Sequence, residues 1–141
     1  MPLLNDSIRS EVQKRFKELK DPAKIINFTQ EIECQFCAET RGLMEEIASL
    51  SDKLGFEVYD FVTDKGEAQK YKIDKIPATV VMGDKDDGIR FYGIPSGYEF
   101  VSILESIVMV SKRESGLSAE TKKRLAAIKK PLHLEVFVTP T

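Results

Sequence analysis

Cysteine is scarce in this chain, and histidine and tryptophan are scarcer still. The 141 residues contain two cysteines, one histidine and no tryptophan. Both cysteines belong to one Cys-x-x-Cys, Cys34 and Cys37, and the short loop that a bond between them would close restricts an unfolded chain very little. A fold held together by disulfides is therefore excluded. The two thiols are present for chemistry or by chance.

An excess of one charge is also lacking, as are long apolar runs. The 21 Lys and Arg residues and the 23 Asp and Glu residues leave a formal net charge of −2, which provides no positive field for nucleic acid. No apolar run approaches the roughly 20 residues of a membrane span, and the N-terminus lacks the features of a secretory signal. We therefore expect a cytoplasmic protein that binds neither nucleic acids nor membranes.

The composition that remains, 42% hydrophobic and 31% charged, is that of a globular protein. Apolar residues recur with helical spacing in some segments and with strand spacing in others. The predicted order combines a parallel crossover with an antiparallel hairpin, which is an α/β fold with a four-stranded mixed sheet flanked by helices. The predicted helices are 5–20, 36–54, 64–71 and 100–108, and the predicted strands are 24–29, 55–61, 78–82 and 89–92. Asn5, Asp6 or Ser7 is the expected N-cap of the first helix, and Gly55 is expected to end the second.

The character of the chain changes near Ser111. Residues 111–116 are polar, as in a linker, and residues 118–129 are predicted to form a Lys-rich helix. Residues 132–138 predict a further strand, which weakly repeats the pattern of residues 24–30. Because a lone strand has unpaired edge groups and an apolar face, we expect it to join the sheet of the preceding unit or to pair with a second copy of the chain.

The Cys-x-x-Cys follows a predicted strand and opens a predicted helix. The first turn of a helix carries partial positive charge and free N–H groups, which lower the pKa of a thiol from its usual value of about 8.5. We expect Cys34 to be the exposed attacking thiol and Cys37, one turn further, to be the buried resolving thiol. Glu31 and Glu33 disfavour the thiolate, so we predict a moderate reduction potential, on the order of −200 to −270 mV.

A zinc site is the main alternative for the two cysteines. Zinc takes four ligands in structural sites, and the chain offers no further cysteine and only one histidine, His133. A single chain therefore cannot complete such a site, although a Cys₄ site shared by two chains remains open. Chance pairing is the other alternative, against which the setting between a strand and a helix weighs.

The order of elements along the chain resembles that of the thioredoxin fold. It runs from a strand to Cys34-Gln35-Phe36-Cys37, a long helix, a strand and a short helix, and then to Ile76-Pro77 before a hairpin. The resemblance implies that Pro77 follows a cis peptide bond and lies against the disulfide. It also implies that the backbone of Ile76 pairs with an extended substrate and that Gln35 and Phe36 contact that substrate. The alternative is a proline that begins a strand after an ordinary trans bond.

A narrower resemblance is carried by the N-terminal helix, the Cys-Gln-Phe-Cys and the segments 91–100 and 135–141. These are similar to the glutaredoxin-like protein disulfide oxidoreductases of thermophilic archaea and bacteria, which carry two thioredoxin-fold units in tandem. Only the first unit is matched. The resemblance implies a thioredoxin-like unit at 1–111, a linker and helix at 112–131, and at 132–141 the first strand of a missing second unit.

The implied function is dithiol–disulfide exchange on protein disulfides, with no cofactor or metal beyond the redox-active Cys34–Cys37 pair. The implied partners are protein disulfides, a flavoenzyme similar to thioredoxin reductase, and the second unit; a homodimer through residues 132–138 is a further prediction. Two alternatives remain open. One is a redox-inert binding or scaffold unit, and the other is the electron-shuttling N-terminal domain of an alkyl hydroperoxide reductase flavoprotein.

Overall fold

A computed structural model describes residues 2–139 of the chain. Helices and strands alternate through most of this range, in an order close to the predicted one. The helices are α1 (Asp6–Phe16), α2 (Cys37–Ala48), α3 (Lys65–Lys70), α4 (Tyr98–Lys112) and α5 (Ala119–Ala126), and the strands are β1 (Ala23–Thr29), β2 (Leu54–Asp60), β3 (Ala78–Met82) and β4 (Ile89–Tyr92).

The four strands form one mixed sheet in the order β2-β1-β3-β4. Strand β1 is parallel to β2 and antiparallel to β3, and β3 is antiparallel to β4. In register, Phe28 lies opposite Tyr59 on one side and opposite Ala78 on the other, and Ala78 lies opposite Tyr92. The carboxyl ends of β1, β2 and β4 and the amino end of β3 therefore meet at one edge of the sheet. The predicted four-stranded mixed sheet is confirmed.

Strand β1 is the centre of the core, because helices cover both faces of the sheet along it. Ile25 packs with apolar residues of α1, α2 and α4 on one face, whereas Ile26 and Phe28 pack with Tyr71 and other residues around α3 on the opposite face. A strand buried on both faces has a continuous apolar sequence rather than an alternating one. Each such side chain contributes roughly 1.5–3 kcal/mol by leaving water.

Helices α1 and α2 end earlier than predicted and α4 ends later, while the first N-cap is confirmed. The Asn5 side chain accepts a hydrogen bond from the backbone N–H of Ile8 at 2.9 Å, which is the usual N-cap interaction. Helix α2 ends at Ala48, six residues before its predicted end at Leu54. Gly55 belongs to β2, because the pairing of Leu54 with Ala23 begins the strand there. The apolar residues keep their helical spacing through the turn between α2 and β2, so the sequence predicted a longer helix.

The strand predicted over residues 132–138 is not formed. Residues 131–139 have no regular secondary structure, and none of their side chains is buried. The expectation that this segment joins the sheet is wrong, since the sheet has four strands from residues 23–92. An extended segment becomes a strand only when a neighbour accepts its backbone hydrogen bonds. Pro140 and Thr141, which belong to the segment 132–141 that the resemblance assigns to a second unit, lie outside the described residues.

Helix α5 is present as predicted, but it contributes no residue to the buried core. Its N-cap is Ser118, whose hydroxyl oxygen accepts a hydrogen bond from Thr121 N–H at 3.2 Å. No residue of α5 is buried, so its stability is local. Among residues 2–139, no helix has the length and apolar character needed to cross a membrane.

Candidate redox site

The two cysteines form a disulfide at the edge where β1 ends. Their Cα atoms lie 5.5 Å apart. Cys37 is completely buried, whereas Cys34 is half-buried and so retains contact with solvent. This asymmetry agrees with the expected geometry of an accessible first sulfur and a shielded second one. Gln35 and Phe36, between them, are both exposed.

Helix α2 begins at Cys37, as the sequence predicted. Phe36 occupies the N-cap position and makes no side-chain capping hydrogen bond. Its carbonyl oxygen accepts hydrogen bonds from both the hydroxyl and the backbone N–H of Thr40, at 2.7 and 3.0 Å. The N-cap side chain therefore accepts no hydrogen bond from the first turn, and the positive end of the helix dipole lies beside the disulfide. Such a setting favours a thiolate when the bond is reduced.

The peptide bond between Ile76 and Pro77 is cis, as predicted. Pro77 immediately precedes β3, so it lies one step beyond the Phe28–Ala78 pair, level with the end of β1. Its carbonyl oxygen accepts a hydrogen bond from Gly93 N–H at 2.9 Å, which ties the loop to the end of β4. Ile76 is half-buried. The sheet register therefore brings the Ile76–Pro77 loop to the same edge as the Cys-x-x-Cys.

Some charged side chains at this edge of the sheet are paired, and others are not. Asp74 and Lys75 form an ion pair at 2.7 Å, and the Lys75 ammonium lies 4.3 Å from the centre of the Tyr92 ring. The hydrogen bond from Lys75 lowers the pKa of the Asp74 carboxyl. Glu31 and Glu33, by contrast, are exposed and form no ion pair within the described range.

A pair of buried polar residues beneath the site was missed by the sequence reasoning. Asn27 and Thr79 are fully buried and lie opposite each other in β1 and β3. The Asn27 side-chain amide donates to the carbonyl oxygen of Ala78 at 3.2 Å, which links β1 to the residue after Pro77. Asn27 Oδ1 and Thr79 Oγ1 have no hydrogen-bond partner within residues 2–139. The signal was an asparagine inside an apolar, β-branched run.

Glu99 is a second group that sequence reasoning did not single out. It lies in the first turn of α4, which follows the end of β4 at the same edge of the sheet. The residue is half-buried, and burial raises the pKa of its carboxyl. Its position four residues before the buried Ile103 places it at the start of the buried stripe of α4.

Comparison with solved structures decides the fold. A protein disulfide oxidoreductase from Aeropyrum pernix K1 matches 96% of this chain with a TM-score of 0.87 and 27% identity, and the match covers 60% of that chain. Thioredoxin from Fasciola hepatica matches 72% of this chain with a TM-score of 0.53 and 22% identity, covering 92% of its own length, which bears on the fold alone. The fold is thioredoxin-like.

The thioredoxin-like unit is also similar to the alkyl hydroperoxide reductase protein AhpF. AhpF of Pseudomonas aeruginosa shares 23% identity over 137 residues, which are 96% of this chain and 24% of that protein. The structure of a mutant AhpF of Enterococcus faecalis matches 90% of this chain and 62% of its own with a TM-score of 0.79 and 27% identity. No protein-family model matches the chain.

The resemblance to protein disulfide oxidoreductases that the sequence predicted is confirmed by these similarities. The chain spans about a quarter of the length of the curated relative and about 60% of the two larger solved chains. The thioredoxin-like unit corresponds to part of each of these proteins.

Proposed function

We propose that this chain is a thiol–disulfide oxidoreductase unit that acts on protein disulfides. The observation that carries the proposal is the half-exposed Cys34, bonded to a buried Cys37 at a helix N-terminus that no side chain caps. A structural disulfide needs no access to solvent and gains little from so short a loop. An accessible sulfur beside the positive end of a helix is suited to exchange.

The reaction proceeds in two displacements. In the reduced unit, the Cys34 thiolate attacks one sulfur of a substrate disulfide, forms a mixed disulfide and releases the first substrate thiolate, which takes up a proton. The Cys37 thiol then loses its proton and attacks the sulfur of Cys34. This step restores the Cys34–Cys37 bond and releases the second substrate thiol. Two electrons pass to the substrate, whose two thiolates take up the proton lost by Cys37 and one proton from solvent, and the reverse sequence oxidises a dithiol.

The residues around the disulfide position the substrate in this proposal. The backbone of Ile76, just before Pro77, pairs with an extended segment of the substrate, and Gln35 and Phe36 contact its side chains. Phe36 has 44% of its surface exposed, which leaves an apolar face beside Cys34. No cofactor is needed for the exchange itself, since the two sulfurs carry the electrons.

A second candidate function is favoured by the similarity to AhpF. In that function, Cys34 and Cys37 would receive electrons from a flavin-containing module and pass them to a peroxidase partner. The same two displacements apply, and the partner differs. A flavoenzyme donor, a second thioredoxin-like unit following residue 131, a homodimer through residues 132–138 and a cytoplasmic location are parts of the proposal that follow from the sequence.

Insulin reduction by dithiothreitol tests the proposed function. We expect the wild-type chain to accelerate the precipitation of insulin B chains and the Cys34→Ser variant to give the uncatalysed rate. The Cys37→Ser variant, reduced and then freed of dithiothreitol, provides a matched control, because it keeps the attacking thiol and should accumulate with insulin a mixed disulfide that mass spectrometry detects. A wild-type rate equal to that of dithiothreitol alone would support the redox-inert scaffold instead.

Electron donors separate the two candidate functions. The unit should be reduced by a thioredoxin-reductase-type flavoenzyme and should then reduce insulin. If it instead transfers electrons to a peroxidase at least about tenfold faster than to insulin, the shuttle function is the correct one. The reduction state of the Cys34–Cys37 pair, followed by alkylation and mass spectrometry, is the readout.

A further inference from the structure

The surface around Cys34 combines apolar side chains with carboxylates. Ile32 has 73% of its surface exposed, and Phe36 lies on the other side of Cys34 in the same loop. Glu31 and Glu33 alternate with Ile32 and Cys34 along the chain, and both are exposed. Any substrate that brings a disulfide to Cys34 must approach these side chains.

Glu39 is a third exposed carboxylate close in sequence to the two cysteines. It lies in the first turn of α2, two residues after Cys37. Glu33 has a backbone φ of 59°, which a non-glycine residue adopts only when its surroundings hold it there. The loop therefore presents Glu33 in a defined conformation next to the reacting sulfur.

The three glutamates have no salt-bridge partner among the described residues. Within residues 2–139, none of them forms an ion pair within 4.0 Å, whereas the nearby Asp74 is paired with Lys75 at 2.7 Å. The charge of Lys75 is thus already compensated. An accessible sulfur with unpaired carboxylates close to it in the chain attracts cationic substrates and repels anionic ones.

We propose that Glu31, Glu33 and Glu39 make this unit selective for polypeptide disulfides flanked by lysine or arginine. Ile32 and Phe36 contact an apolar residue beside the substrate cysteine, and the glutamates surround that contact with negative charge. The inference rests on the proposed function, because it specifies which disulfides Cys34 attacks. Selectivity of this kind acts through long-range attraction and is weakened by salt.

Two synthetic peptides test the selectivity. They have one sequence with an intramolecular disulfide and carry either lysines or glutamates beside both cysteines. The chain is reduced with dithiothreitol, freed of reductant and mixed with each peptide, and the reduced peptide is measured by quenching and mass spectrometry. At low ionic strength we expect the lysine peptide to react roughly tenfold faster, and near 1 M salt, where the screening length is about 3 Å, the rates should agree within about twofold.

Charge-neutralising variants locate the origin of the preference. The triple variant E31Q/E33Q/E39Q should lose it, and the measure is the ratio of the two rates, which cancels any change in the reactivity of the thiol itself. The matched control is E11Q/E105Q/E114Q, which changes the net charge equally at exposed positions of α1, of α4 and just after α4. This control should keep the full preference.

The possible results separate the inference from the proposed function. Equal wild-type rates for the two peptides at low salt would overturn the selectivity, as would a triple variant that keeps the preference. A neutral probe, bis(2-hydroxyethyl) disulfide, tests exchange alone. If the reduced wild-type chain fails to react with this probe and with both peptides, the proposed function itself fails.

Discussion

Strand β1 and residues 132–138 have comparable apolar content, yet they occupy opposite environments. Strand β1 pairs with β2 and β3 and buries six of its seven residues. In residues 132–138, Leu134, Val136 and Phe137 each have at least 85% of their surface exposed. The difference shows that an apolar strand sequence becomes a strand only where neighbouring strands and helices cover it.

Substitution of one phenylalanine in each region gives the largest expected contrast. Phe28→Ala should lower the free energy of unfolding by about 3–5 kcal/mol, because Phe28 is fully buried and contacts the rings of Tyr59 and Tyr71. Phe137→Ala is the matched control and should change it by less than about 0.5 kcal/mol. Urea denaturation of both variants measures the difference. Comparable losses in the two variants would mean that residues 132–138 pack against something in solution.

A buried carboxylate at Asn27 should have the next largest effect. In Asn27→Asp, the introduced carboxyl would face the carbonyl oxygen of Ala78 in a fully buried position, so burial raises its folded-state pKa. The penalty is therefore small below about pH 4, grows as pH rises from the unfolded pKa toward the folded one, and reaches roughly 3 kcal/mol at pH 7.

The control for that experiment is Gln13→Glu, which introduces the same charge at an exposed position of α1. Its stability should stay within about 0.5 kcal/mol of wild type at every pH. Denaturation curves between about pH 4 and pH 8 give both profiles. An Asn27→Asp profile parallel to that of the control would show that the site beneath Pro77 is accessible to water.

Much of the fold was predictable because its signals are local. The strands over 24–29, 78–82 and 89–92 and the start of a helix at the Cys-x-x-Cys followed from short motifs and apolar spacing, and the cis bond before Pro77 followed from the resemblance to the thioredoxin fold. The end of α2 did not, because the apolar stripe continues into the turn before Leu54. The strand at 132–138 failed for a different reason, since pairing partners cannot be read from the segment itself.

The two cysteines of the candidate site could be predicted from the sequence, whereas the buried residues that surround them could not. Cys34 and Cys37 are recognisable from their spacing alone. The buried pair of Asn27 and Thr79 depends on the register of β1 against β3, and the half-buried position of Glu99 depends on how α4 packs. Both are tertiary features, which a single sequence does not display.

Two pairs of side chains, one near β4 and one within residues 132–138, give the same contrast with a smaller effect on the free energy of unfolding. Arg90 forms a bidentate pair with Asp86 at 2.6 and 2.8 Å, and the two side chains have 16% and 30% of their surface exposed. The hydrogen bonds from Arg90 lower the pKa of Asp86, so the pair stabilises the fold above the unfolded pKa of about 3.9, and this contribution is lost as pH falls below it.

Asp86→Asn should therefore cost about 1 kcal/mol at pH 7 and have little effect near pH 2. The exposed pair of His133 and Glu135, at 2.8 Å, provides the control, and Glu135→Gln should change stability by less than about 0.5 kcal/mol. Urea titrations at pH 7 and at about pH 2 measure both. A larger loss for Glu135→Gln than for Asp86→Asn would reverse the expected ranking of the two regions.

The reduction potential of the Cys34–Cys37 couple tests the central claim most directly. The chain is equilibrated with mixtures of reduced and oxidised glutathione, the free thiols are alkylated, and the products are counted by mass spectrometry. We expect a two-electron transition on the order of −200 to −270 mV, as in glutaredoxins and thioredoxin. A potential below about −300 mV would identify a structural disulfide, and one near −120 mV would identify a strong oxidant; either result contradicts the account.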